Sequence, residues 1–119
     1  MTTQVIADRL VELCRQGEFE TAQTELFSKD ATSKEPYATP EFDQETKGLD
    51  AIKEKGRKWN EMVEQMHNME ISDPLVAANS FACTMRMDVT TKGKGRMDMT
   101  ELCLYKVKDG KIVSEEFFM

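Results

Sequence analysis

The sequence predicts an α+β fold, with N-terminal helices packed on a curved antiparallel β-sheet. Three observations predict it. Apolar residues recur at three- and four-residue steps in three segments before residue 67. From Phe81 onward the period drops to two. Asn79-Ser80, Lys92-Gly93-Lys94-Gly95 and Asp109-Gly110 then punctuate the alternating half at hairpin spacing. The 119 residues make one domain, 1–119, long enough for one core.

The first helix is predicted over Thr3 to Gln16, where Ile6, Leu10, Leu13 and Cys14 share a face. Gly17 supplies the positive φ that a helix end favours. Glu18 to Phe27 restarts a helix on Phe19, Ala22, Leu26 and Phe27. Asp30 to Pro36 reads as a short extended segment, because Pro36 pushes Glu35 out of helical geometry. Tyr37 to Lys47 has no regular period and reads as a loop, a candidate lid. Gly48 opens the longest helix, with Leu49, Ile52, Gly56, Trp59, Val63 and Met66 on its apolar side. Gly56 costs about 1 kcal/mol of helix propensity against Ala, which suggests close approach to another element. Met69, Ile71 and Pro74-Leu75-Val76 suggest a strand and a turn. Phe81, Cys83, Met85, Met87 and Val89 then take one face of a strand, with Ala82, Thr84, Arg86, Asp88 and Thr90 on the other. Arg96 to Lys108 returns antiparallel, and Lys111 to Phe118 closes the sheet.

Composition removes several function classes. Asp and Glu number 22 against 16 Lys and Arg, a net charge of −6. That balance argues against nucleic acid, whose binders neutralise phosphates with Lys and Arg. The basic turn at Lys92, Lys94 and Arg96 is too small a footprint to reverse this. No apolar run approaches the ~18 residues of a membrane span, and the N-terminus lacks the pattern of a signal peptide. Cys14, Cys83 and Cys103 form no Cys-x-x-Cys pair, and the single His leaves little for a metal site. They read as reduced thiols packed in the core of a cytoplasmic protein, with Cys83 and Cys103 able to face each other across a hairpin.

Several short segments together carry a resemblance. Gly17-Glu18-Phe19 resembles a helix–Gly–helix break, Leu26 to Thr32 an "LFADDAT" segment, and Gly48 to Ile52 a "G-x-x-A-I" helix start. With Asn79 to Ala82 and Asp109 to Val113, they run in the order found in the nuclear transport factor 2-like superfamily. The chain resembles its SnoaL-like and ketosteroid-isomerase-like members along nearly its whole length. The resemblance implies a cystatin-like cone with a pocket between helices and sheet. A fold alone does not fix a function.

Glu35 is the first candidate for chemistry. It occupies the position before Pro36 that resembles the general base of ketosteroid isomerases in "DATVEDP". A carboxylate in an apolar pocket has its pKa raised toward neutrality, which suits proton transfer. The rest of that machinery is not matched: Leu10 stands where the isomerases place a Tyr, and Leu102 or Cys103 where they place a second acid. Glu101 lies nearby, in the otherwise apolar row Met97, Met99, Cys103, Tyr105 and Val107. It either faces the interior or is turned outward by a bulge. The resemblance also points Val113, Glu115, Phe117 and Met119 toward the pocket. Glu115 then either joins Glu35 and Glu101 in an acid cluster or pairs with a basic residue on a neighbouring strand.

His67, following the long helix, could shuttle protons or merely sit at the rim. Tyr37 and Trp59 are candidate pocket walls. Met85, Met87, Met97 and Met99 share the inner face of one hairpin, and either fill the core or line a cavity for a flat, irregular apolar ligand. The outward row Ala82, Thr84, Arg86 and Asp88, with Leu102 and Leu104, could support a homodimer. The expected function is binding of a small, mostly apolar molecule, with cofactor-free and metal-free acid–base catalysis of isomerase, cyclase or dehydratase type. A non-catalytic binding or dimerisation module is the alternative.

Overall fold

The computed structural model describes residues 1–119. Helix α1 (Thr3–Arg15) starts where the Thr2 hydroxyl accepts the Val5 N–H at 3.2 Å, filling one vacant position of the first turn. Ile6, Ala7, Leu10, Val11, Leu13 and Cys14 are buried along it. The helix closes at Gly17, φ 78°, with the Glu18 N–H reaching back to the Leu13 carbonyl at 2.9 Å. Helix α2 (Phe19–Leu26) buries Ala22 and Leu26 and runs straight into strand β1 (Phe27–Lys34). Phe27, expected as the last helical residue, is thus the first of a strand. The following loop contains a short strand, β2 (Glu45–Lys47), antiparallel to β1.

Gly48, at φ 91°, donates its N–H to the Ala31 carbonyl at 2.8 Å and turns the chain into α3 (Leu49–Met62). This helix stops four residues before the predicted end. Strand β3 (Val63–Ile71) takes over, because Val63, Gln65 and Met66 find partners in Thr91, Thr90 and Val89. Sheet pairing overrides the helical spacing of Val63 and Met66. Gly56 does not mark a close approach: a Cβ added there would meet nothing within 4 Å.

Strands β4 (Leu75–Val76), β5 (Ser80–Thr91), β6 (Gly95–Lys108) and β7 (Lys111–Phe118) complete a seven-stranded sheet. Its order is β2-β1-β7-β6-β5-β3, with β4 also on β5. The pairs are antiparallel except β1 with β7, which is parallel. The three helices pack on this mixed, mostly antiparallel open sheet. The core gathers at the α1–α2 end, around Ile6, Leu26, Ile52, Phe81, Tyr105 and Ile112. Phe81 and Tyr105 stack there with centroids 4.8 Å apart. Burying one such large apolar side chain is worth about 1.5–3 kcal/mol. Met85 packs on this core, whereas Met87, Met97 and Met99 lie beyond it, half-buried, toward the β5–β6 turn.

Candidate functional site

The β5–β6 register is unbroken from Ser80↔Lys106 to Thr91↔Gly95. With no bulge, strict alternation keeps Glu101 in one row with Met97, Met99, Cys103 and Tyr105, on the inner face. Glu101 lies opposite Met85, and Cys103 opposite Cys83. On the other side of β6, Tyr105 pairs with Glu115 and Cys103 with Phe117, so these two residues of β7 also point inward. A register shift after Lys106 brings Ile112, not Val113, opposite Val107. Ile112 is fully buried and Val113 only partly, which corrects the inward placement expected for Val113.

Parallel pairing of β1 with β7 places Ser33 beside Glu115, and both are buried. Lys55 reaches across from α3. Its ammonium donates to the Ser33 hydroxyl at 2.6 Å and to Glu35 Oε2 at 2.8 Å, and lies 5.7 Å from the Phe117 ring centre. The Ser33 hydroxyl also acts on the neighbouring Glu115 carboxyl, favouring its charged form. Glu35 is anchored from behind by its N–H, which donates to the Gln44 carbonyl at 2.7 Å. One lysine, one serine and three carboxylates therefore converge on a sheet face that is otherwise apolar.

The environment of the cluster shifts its acids. Burial pushes the Glu101 carboxyl up to about 7, and the charges of Glu35 and Glu115 act in the same direction. Lys55 and the Cys103 thiol, 3.9 Å from Glu101 Oε1, pull it partly back. Burial likewise pushes Glu115 up to about 7 against the pull of Lys55 and Ser33. Near neutral pH the cluster can hold or release protons at two acids, beside a fixed ammonium.

Residues 1–119 match the family model of the SnoaL-like domain. The chain belongs to the SnoaL-like family. A Mesorhizobium loti crystal structure, provisionally described as a SnoaL-like polyketide cyclase and carbohydrate phosphatase, is 33% identical, with TM-score 0.93 and full coverage of both chains. A Xanthomonas campestris protein of unknown function with a cystatin-like fold gives TM-score 0.83 at 19% identity, covering 99% of this chain and 90% of that one. A nuclear transport factor 2-like protein of Burkholderia pseudomallei gives 0.80 at 12%, covering 100% and 92%. These last two show the fold alone. A search of curated proteins finds no match.

In this SnoaL-like chain the candidate residues divide. Glu35, Glu101, Glu115 and Phe117 come together around Lys55. Trp59 lies one helical turn beyond Lys55 on α3 and is half-buried; Met87, Met97 and Met99 are half-buried on the facing strands. Tyr37 stands apart, 61% exposed on the loop. His67 also stands apart. It lies within β3 rather than after a helix, and its Nε2 is 2.7 Å from Thr90 Oγ1, on the outer face of the sheet. Arg86, also outward, binds Asp98 at 2.7 Å and Glu70 at 3.5 Å. The cation whose charge acts on Glu115 is Lys55 on a helix, not a neighbour on a strand. The middle of the Tyr37–Lys47 loop is fastened through Glu41: its carboxylate binds Lys94 of the β5–β6 turn at 3.0 Å, and Lys58 of α3 donates to its carbonyl.

Lys55 is the residue that sequence reasoning missed. Its signal was available: it lies three residues after the fully buried Ile52, on the same face of α3. Two grooves open on the surface, the second with the cluster residue Glu115 in its lining. One of about 420 Å³ runs between α1 and the β3–β4 turn, by Glu12, Arg15 and Asp73; one of about 220 Å³ lies on the outer face by Lys34, Leu104 and Glu116. No helix is long and apolar enough to cross a membrane.

Proposed function

We propose that this chain holds a small, mostly apolar molecule between α3 and the inner face of β5–β7, and moves protons on it without a cofactor. The observation that carries the reading is the convergence of Glu35, Glu101 and Glu115 on Lys55, inside an apolar row. Glu35 is the proposed base. The Lys55 ammonium, 2.8 Å from Glu35 Oε2, holds that carboxylate in place, and Glu101 and Glu115, held near neutrality, are matched to proton transfer at ordinary pH. Glu101 and Glu115 supply or take the second proton. Trp59, Phe117, Met85, Met87, Met97 and Met99 form the apolar walls, with adaptable Met contacts suited to a flat, irregular ligand. Tyr37 and His67 are left to the rim and the outer face. Isomerisation, cyclisation and dehydration each require this kind of paired proton transfer.

The test is a thermal-shift screen of flat carbonyl-bearing compounds against the wild type and Glu35→Gln, followed by turnover of any hit. Binding kept and turnover lost in the variant supports the base. Equal turnover in both overturns it. The same screen separates the alternative, a non-catalytic binding module, in which hits bind both proteins and neither turns over.

A homodimer through the outer face is part of the proposal. Leu102 and Phe118 pair across β6 and β7, and each is 43% exposed; Leu75, paired with Ala82 on β4–β5, is 80% exposed. Exposed apolar rows of this kind mark protein contacts. Sedimentation of Leu102→Asp should show a monomer where the wild type is a dimer; identical sedimentation removes this face. Three buried free thiols support a reducing compartment, the cytoplasm.

A further inference from the structure

Cys83 and Cys103 are direct cross-strand partners in the unbroken part of the β5–β6 ladder. The Val107 N–H donates to the Asn79 carbonyl at 2.8 Å. Counting two by two from that bond puts Cys83 and Cys103 in the closely hydrogen-bonded class of antiparallel pair. Such pairs hold their Cα atoms about 5.5 Å apart, inside the window of about 4.4–6.8 Å that a disulfide spans. The Cβ atoms must close by about 1 Å, so the bond would carry strain and be readily reduced. Both side chains lie on the inner face, directly opposite each other in the ladder. Glu101 stands two residues from Cys103 on the same face, its carboxylate 3.9 Å from Cys103 Sγ.

We propose that Cys83 and Cys103 are a reversible redox pair that peroxide converts to a cross-strand disulfide, using Glu101 as the local proton acceptor. The inference goes beyond the proton-transfer reading and stands whether or not the chain turns over a substrate. The two thiols have different roles. Cys83 is the more accessible, 6% exposed against 1%. The neighbouring Cys103 holds the Cys83 pKa down, whereas Cys83, burial and the Glu101 charge hold Cys103 well up. Cys83 is therefore the attacking thiolate. It takes one oxygen of hydrogen peroxide to become a sulfenic acid, and the other oxygen leaves as water with the thiol proton. Cys103 then passes its proton to Glu101 and attacks the Cys83 sulfur. The S–S bond forms, the S–O bond breaks, and the departing hydroxide takes the proton back from Glu101 as a second water. Two thiols and one peroxide become one disulfide and two waters.

The disulfide removes the thiol that donates to Glu101. Facing that carboxyl are Glu35 from the end of β1, Lys55 from α3, Glu115 from β7 and Cys83 from β5. Of the groups that favour its charged form, oxidation takes away Cys103 and leaves Lys55. The Glu101 carboxyl should therefore titrate at higher pH in the oxidised protein.

The experiment treats wild type, Cys14→Ser, Cys83→Ser and Cys103→Ser with hydrogen peroxide and maps tryptic peptides. Arg86, Lys92, Lys94 and Arg96 separate the two cysteines, so a disulfide joins two otherwise distinct peptides. The expected result is that link, reversed by dithiothreitol, in wild type and Cys14→Ser, with a dimedone-trapped sulfenic acid at Cys83 in Cys103→Ser. Titration of the Glu101 carboxyl by NMR should show the upward shift on oxidation. Absence of the link at peroxide levels that oxidise the exposed methionines overturns the proposal. So does a link that runs instead through Cys14, the third thiol close to Cys83, or only between molecules.

Discussion

Glu115→Gln should make the protein more stable at alkaline pH and leave it almost unchanged in acid. Glu115 is 6% exposed and its folded carboxyl sits at about 7, against an ordinary 4.5. A folded pKa above the unfolded one means that the native state binds the proton more tightly. Stability from this group is fully present below pH 4.5, falls as pH rises, and is lost above about 7. A gap of about 2.5 units corresponds to about 3 kcal/mol, which wild type forfeits at pH 8 and the amide does not. The amide keeps a partner for the Ser33 hydroxyl, so little else changes in acid. Urea unfolding of both proteins at half-unit intervals from pH 4.5 to 9 reads the difference. With a slope near 1.5 kcal/mol per molar, the alkaline advantage should appear as a midpoint about 2 M higher in the variant. A constant difference across that range would refute the reasoning. A deficit that grows toward pH 9 would refute it more strongly, because Glu115 would then be a charged partner of Lys55 rather than a forced acid.

Other changes test neighbouring parts of the same account. Lys55→Met removes the only cation of the cluster. Its pair with Glu35 is 16% and 27% exposed, so the loss should be about 2 kcal/mol rather than the 3–5 of a fully buried pair. Both buried acids should titrate higher without it, so the deficit should shrink as pH falls toward 5; chemical denaturation at pH 5 and 8 checks this, and Lys55→Arg should recover part of the loss. Gly56→Ala should stabilise by about 1 kcal/mol, since the helix gains propensity and the new methyl meets nothing within 4 Å; a lower melting temperature would mean that α3 is packed there after all. Glu41→Ala unfastens the loop from Lys94 and should speed amide exchange at Thr39 and Phe42, whose mutual bonds of 2.9 and 3.1 Å hold the loop's bend.

What could be read ahead of the structure, and what could not, follows from the reach of each signal. Alternation needs only neighbours, so the inward Glu101 was legible once the β5–β6 ladder proved continuous. Val113 was misread because a single extra residue in β7 reverses a face, and nothing in Lys111-Ile112-Val113 marks that shift. The end of α3 was misread for a different reason. Glu64, Gln65 and Met66 are good helix formers, and only the distant partners Thr90 and Val89 pull them into a strand. His67 went with them, from a helix end to the outer face of β3. The acid cluster was legible in its three carboxylates, two of them on alternating strands and one at Glu35-Pro36. Its lysine was not, because a Lys in a helix rich in Lys and Arg looks like solvated surface until the fold puts Ile52 and its face against the sheet.

The parallel pair between β1 and β7 also bears on how the molecule assembles. Ser33 and Glu115 are neighbours in space but about eighty residues apart along the chain, a long loop for folding to close. Because β7 lies between β1 and β6, it is an inner strand that comes after its neighbours in chain order. On a ribosome the helices and the β5–β6 hairpin would exist before it, with Glu35 and Lys55 already paired and Glu101 still facing water. Proton-holding acids would then arise in a single late step, when β7 slots home and seals them together. A chain stalled or clipped before Glu115 would keep much of its secondary structure and lack the assembled acid cluster.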